Sequence, residues 1–413
     1  MASSMQQTGA EMIRNMSFAL RRESLPQTIL AALPFLLFFP HGIVKAGIVV
    51  FALSVLVSGD YRNKWRTAKA SPLFWPVVGM FGISCLLAVF TDRSAPKFWS
   101  GFAHYQVYFY LLLFISIGPG DWQRRAANAF FAGALLASTL FYLNLLNLLP
   151  DVRLFGDYIA YSGNNSILLG VLLAVAAGGV FYEMIDHTDR RLLWQIPAFL
   201  YIAAALLVLA RTRSGSLIFI VLCLFVLLKQ ATRSWHRALG IAAVLALMVA
   251  ATWHLSSSLQ TRALKTVQDI KAFSQGEKTS GEGIRAEMYW ITAQMIAEKP
   301  LTGHGIGAWL PVYQQRAKGL ATGRMTTPHN DYLLYTAEIG LIGLAALFWI
   351  WTTQLVVAWR IGGVHGAWLA MLSLTLFVGA MFNAILRDLV FGMSFMILMA
   401  IPLAGVTRDG RAA

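Results

Sequence analysis

The stretch TTPHNDYLLYTAEIGLIGL, residues Thr326–Leu344, passes from a polar loop into an apolar helix across His329, Asn330 and Asp331. Each of those side chains prefers water or a hydrogen-bond partner, so a bilayer-spanning helix rarely begins on them by accident. Where the membrane lies therefore decides how the stretch is read. Proline suits the first turn of a helix, and Thr327 or Asn330 is a suitable cap, so the run reads as a helix start.

The surrounding chain has 413 residues, 57% of them hydrophobic and 13% charged, which is more apolar than an ordinary soluble protein. Its mean hydropathy is +0.61. The expected fold is all-α and polytopic. Apolar segments lie near residues 25–40, 42–58, 72–90, 102–118, 126–149, 165–185, 195–210, 214–228, 238–254, 330–357, 365–383 and 388–406, which predicts about twelve transmembrane helices. The N-terminal segment, with Arg14, Arg21 and Arg22 ahead of its apolar run and no small-x-small cleavage site, reads as an uncleaved first span. Cys85 and Cys223 both sit inside apolar runs and imply no disulfide framework.

A net charge of +14 raises the question of nucleic acid. The basic residues are interspersed between apolar spans rather than gathered on one domain, so positive-inside orientation explains them and no nucleic-acid partner is expected. With the N-terminus inside, the inner loops collect most of the arginines and lysines outside the long loop, among them Arg62, Arg66, Arg124, Arg190 and Arg237. Both termini are then cytoplasmic. The chain divides into spans one to nine over residues 1–254, an outer loop over 255–329, and spans ten to twelve with a short cytoplasmic tail over 330–413.

Within the outer loop, apolar residues recur at helical spacing from Leu259 to Phe273 and again at Ile284, Met288, Ile291 and Met295. Both repeats read as amphipathic helices, lying on the bilayer surface or packing over the bundle. SQGEKTSGEG between them is a turn or linker, and LTGHGIGAW is a turn ahead of a third short segment.

His329 stands at the outer boundary, at the positive end of a helix macrodipole that disfavours an imidazolium. A neutral imidazole there accepts a proton from a hydroxyl; a cap or an interfacial anchor fits the same spacing. Arg211 and Arg213, in LARTRSGSLIF, have only a tight outer turn between two apolar runs and no acid in the segment. A phosphate-bearing lipid supplies the missing counter-charge, and snorkelling to headgroups is the alternative. Arg285 opens the second amphipathic segment and shares its polar stripe with Tyr289 and Thr292, a surface that suits sugars and phosphates or is merely solvated. Arg387 and Asp388 read as an internal ion pair at a hairpin, and His304 as a turn residue. No acidic D-x-D pair, zinc-spaced His/Cys cluster or phosphate-cradling G-x-x-x-x-G-K-[ST] is present, so no metal or cofactor is expected. Energy must arrive with the substrate.

His329-Asn330, nine residues, Gly340, two residues and Gly343 resembles the H-[NSQ]-x9-G-x-x-G signature of bacterial O-antigen ligases, within the wider ligase and polymerase family of lipid-linked glycan enzymes. RSGSL, Arg213 to Leu217, is similar to that family's R-x-x-x-L element, and Arg285 through Pro300 to GHGIG resembles its loop pattern. The resemblance implies a GT-C-like glycosyltransferase architecture in the bacterial inner membrane, with the site facing the periplasm. It further implies metal-independent, inverting transfer of O-antigen from undecaprenyl pyrophosphate to the lipid A core. His329 would be the base or would orient the acceptor, with Arg211, Arg213 and Arg285 on the pyrophosphate and Asn330 and Tyr289 among the substrate contacts. A polymerase that uses a second undecaprenyl-linked glycan as acceptor, a ligase acting on protein hydroxyls, and a lipid-glycan transporter are the competing readings.

Overall fold

The computed structural model describes residues 24–91, 97–150, 164–186, 192–210, 212–255 and 281–408, together with positions 260, 261, 264, 267, 268 and 271. Arg211 and most of the first amphipathic repeat, Leu259–Phe273, lie outside the described residues. Among those described, every regular element is helical. The chain runs through α1 (Ser24–Leu36), α2 (His41–Ser58), α3 (Tyr61–Ala70), α4 (Phe74–Val89), α5 (Phe98–Tyr105), α6 (Val107–Ile115), α7 (Trp122–Leu145) and α8 (Asn164–Asp186). It continues as α9 (Leu192–Ala204), α10 (Arg213–Ala231), α11 (Trp235–Leu255), α12 (Gly281–Glu298), α13 (Trp309–Arg316), α14 (Asp331–Ile361), α15 (Gly363–Gly379) and α16 (Leu389–Leu403).

Among the described residues, α2, α7, α8, α10 and α14 are long and apolar enough to cross a membrane, and α3 with α4 makes a sixth candidate bent by 94°. The protein is a multi-pass membrane protein. Length and composition thus single out five or six spans where twelve apolar segments were expected, because several segments are short or broken. The 102–118 segment breaks at Gln106 into α5 and α6, and the Gln106 side chain donates to Ser84 Oγ at 2.8 Å. The 195–210 segment carries Pro197, which removes one helical hydrogen bond near its start, and it widens separately into a π turn at Ala205–Leu209. α15 and α16 are only 17 and 15 residues long.

α8 occupies the middle of the bundle, with 83% of its apolar stretch buried. α14, at the other extreme of irregularity, positions the site. Asn330 caps it, its side-chain oxygen accepting from Leu333 N at 3.0 Å, and Asp331 places an acid in the first turn, where the macrodipole favours it. Pro328 precedes the cap rather than entering the first turn.

Two turns further on, α14 breaks at Gly340, whose φ of 70° and ψ of −175° are not helical. Backbone groups released inside a membrane need partners, since no water reaches them there. The loop Pro300–Gly305 supplies these. His304 N donates to Ala337 O at 2.8 Å, Gly305 N to Glu338 O at 2.9 Å, and Leu341 N donates to Pro300 O at 2.8 Å. A Cβ on Gly340 would fall 2.0 Å from Leu301 O, and one on Gly303 would fall 2.4 Å from the Glu338 carbonyl carbon. The glycines of the two motifs therefore let loop and broken helix dock backbone to backbone.

Met288, Ile291 and Met295 of α12 bury against Trp309 and Tyr313 of α13 and Leu334 and Ala337 of α14, in a core separate from that of the bundle. Of the two placements open to this amphipathic segment, packing over the bundle is the one found. The third short segment expected after GHGIG is α13.

Candidate active site

His329 takes the left-handed conformation, φ 48°, one residue before the α14 cap. Such a backbone is uncommon outside glycine, and histidine is one of the residues that tolerate it best. The turn is held from both sides: His329 N donates to Thr327 Oγ1 at 3.3 Å, and His329 O accepts from the Tyr289 hydroxyl at 3.4 Å. The imidazole lies on the wall of an open cavity of about 200 Å³, lined also by Thr326, Thr327, Asn383, Arg387 and Asp388, with Ile167 and Phe391 supplying apolar surface.

The segment that forms the far wall is stitched to the start of α14. Asn330 Nδ2 donates to Met381 O at 3.0 Å, Asp331 N donates to Ala380 O at 2.9 Å, and Leu386 N donates to Asp331 Oδ2 at 3.0 Å. Asp331 is fully buried. These bonds place Arg387 beside the cavity, its guanidinium donating to Thr326 O. Asp388 Oδ1 accepts from Val390 N at 3.0 Å and Phe391 N at 3.2 Å, capping α16.

Asp388 shares the cavity, but the charges that act on His329 most are those of two arginines. Burial lowers its pKa from the ordinary 6.5, and the nearby guanidiniums of Arg285 and Arg387 lower it further. A neutral imidazole was expected from the macrodipole; desolvation and two arginines push the same way.

The other expected site residues fall as follows. Arg285, half-buried on α12, lies within electrostatic reach of His329. The Tyr289 hydroxyl lies 3.4 Å from the carbonyl oxygens of both His329 and Met381, which braces the turn. Asn330 spends both ends of its amide on the cap and on Met381. Arg213 is the exposed first residue of α10. Its neighbour Ser214 accepts from Asn383 Nδ2 at 2.9 Å, and Asn383 lines the cavity. Arg211 lies outside the described residues. His304 is a turn residue, bonded through Nε2 to Met295 O at 2.8 Å.

Arg387 is the site residue that sequence reasoning placed elsewhere. Its neighbour Asp388 suggested a local ion pair, and nothing in the chain foretold that a buried aspartate fifty-odd residues away would hold the 385–387 backbone in place. The only available signal was an arginine at the outer end of an apolar hairpin.

Glu338 forms the last layer beneath the site. Its Oε2 accepts from the Tyr105 hydroxyl at 2.8 Å and its Oε1 from Trp309 N at 3.3 Å, so one buried acid joins α5, α14 and the start of α13. Among the described residues, no three His, Cys, Asp or Glu side chains gather as a metal site would require.

The arrangement suits proton removal beside a developing negative charge: a neutral base and cations on adjoining walls, at the mouth of a helix bundle. Residues 198–348 match the family model described as O-antigen ligase. That match spans Arg213, Arg285, Tyr289, His329 and Asn330 and stops short of Arg387. No curated protein matches the chain.

Proposed function

We propose that this chain, whose residues 198–348 match the O-antigen ligase family model, is a membrane glycosyltransferase that moves O-antigen polysaccharide from undecaprenyl pyrophosphate to a sugar hydroxyl of the lipid A core. The reaction takes place at the periplasmic face of the bacterial inner membrane. The observation that carries this reading is that His329 and Arg387 line one cavity, with Arg285 close enough to depress the histidine.

In the proposed reaction His329 accepts the proton of the acceptor hydroxyl as its oxygen attacks the anomeric carbon. The bond from that carbon to the pyrophosphate oxygen breaks, and the electron pair leaves with the pyrophosphate. Attack opposite the leaving group inverts the anomeric centre. Arg285 and Arg387, with Arg213 from the start of α10 and Arg211, which lies outside the described residues, hold the pyrophosphate and stabilise the charge that grows on it; each well-aimed donor contributes roughly 3–4 kcal/mol. Guanidiniums suit this task, since they stay protonated and bind phosphate oxygens in pairs. In this reading the reacting groups meet at the open cavity while both glycans extend outward and both lipid tails remain among the helices.

The test is transfer between defined donor and acceptor lipids by the purified protein in detergent, with chelator present. Turnover without nucleotide or metal, lost in His329→Ala while the protein stays monodisperse, is the expected result. Wild-type turnover in that variant removes the base. In cells, loss of the chain should leave bare lipid A core while polymer builds up on its carrier. Cores capped with single repeats would instead identify a polymerase, whose acceptor is a second undecaprenyl-linked glycan.

A further inference from the structure

At the end of the bundle opposite His329, a second cavity of about 520 Å³ opens where the starts of α7 and α15 meet the ends of α8 and α16. This size falls within the roughly 300–1,000 Å³ of small-molecule sites. The floor is aromatic: Trp368 stands edge-on to Phe130 and Phe131, with ring centroids 6.0 and 5.5 Å away. The rim carries both signs of charge, with Asp121 just before α7, Arg124 on α7, Glu183 on α8 and His365 on α15.

The rim is built on fixed elements. Gln123 Nε2 donates to Ile401 O at 2.6 Å and Ala404 O at 3.3 Å, tying α7 to α16. The Tyr182 hydroxyl donates to Gly363 O at 3.4 Å and accepts from Lys229 Nζ at 3.0 Å, tying α8 to α15 and α10. Asp121, which precedes α7, and Arg124 in its first turn stand one turn apart, yet among the described residues neither takes part in an ion pair. Asp121 and Arg124, which do not pair with each other beside an aromatic floor, match a ligand that carries both charges itself. The cavity lies where apolar helices begin and end, which is the level of lipid headgroups.

We propose that this cavity binds the headgroup of a phospholipid bearing a phosphate and a primary ammonium. The phosphate is held by Arg124, and the ammonium by Glu183, Asp121 and the face of Trp368. On the charge reading of the loops the lipid belongs to the cytoplasmic leaflet, away from the glycan-carrying lipids at the other end.

Native mass spectrometry of the purified full chain in detergent, titrated with phosphatidylethanolamine, phosphatidylcholine and phosphatidylglycerol, tests the site. One phosphatidylethanolamine per chain is expected to be retained at concentrations about tenfold lower than either other lipid requires. Glu183→Gln should weaken phosphatidylethanolamine about tenfold and leave phosphatidylglycerol unchanged, whereas Arg124→Ala should weaken both. Equal retention of all three lipids overturns the proposal. So does wild-type retention of phosphatidylethanolamine by both variants when each is monodisperse by size exclusion. Glycan transfer is not the readout, so failure here leaves the reading of the His329 cavity intact.

Discussion

At the scale of single residues, His329 is held in a left-handed turn, half-buried between two arginines, and this fixes how activity should depend on pH. The base works only when neutral. Since burial and the two guanidiniums lower its pKa below 6.5, rate should persist below that pH and fall only as pH drops through the depressed value. Removing a cation relieves part of the depression, so in Arg387→Ala the acid limb of the kcat/KM profile should move upward toward the ordinary histidine value. An unmoved limb would mean that Arg387 does not face the imidazole. The same variant should lose about 100-fold in kcat/KM if Arg387 meets the pyrophosphate, and Arg387→Lys should recover only part of it, because a point charge does not replace a fork of donors. His329 itself was legible in the sequence, since a polar run at the mouth of an apolar helix needs a reason. Arg387 was not, because its position depends on a bond from Leu386 N to the buried Asp331, a contact between segments far apart in the chain.

At the scale of elements, α14 shows how far periodicity reaches. Its start was readable from Asn330 and Asp331, which do what a cap and a first-turn acid do. Its break was not, because a glycine in an apolar helix costs only about 1 kcal/mol and is usually tolerated without a kink. The partner loop supplies the reason, and only the folded chain brings Pro300–Gly305 to Gly340. Gly340→Ala meets both a positive φ and a backbone oxygen at 2.0 Å. It should destabilise the protein by roughly 2–4 kcal/mol, seen as a lower midpoint in thermal unfolding in detergent. A midpoint unchanged from wild type would show that the helix runs straight through this position. Glu338→Ala should act more mildly, leaving the Tyr105 hydroxyl and Trp309 N without their partner at about 1–3 kcal/mol.

For the whole molecule, the loop charges and the two cavities make one topological statement. His329 and its arginines stand at one end of the bundle, and Arg124 and His365 at the other. A cysteine replacing Lys318, exposed after α13, should react with a membrane-impermeant maleimide in spheroplasts; one replacing His365 should react only after permeabilisation. The reverse pattern would place the glycan chemistry in the cytosol and end the proposed function. Composition was enough to make the chain a helical membrane protein. The number of crossings was less readable, because segments such as 102–118 and 195–210 look continuous in hydropathy and are interrupted in the fold. The graft of the outer loop onto the gap in α14 has a consequence for traffic. Lifting that roof away would strand peptide groups in hydrocarbon, at several kcal/mol apiece, so the loop cannot swing like a lid. On the proposed function, lipid-linked substrates would then have to reach the His329 cavity with this loop in place, whatever the length of the glycan outside it.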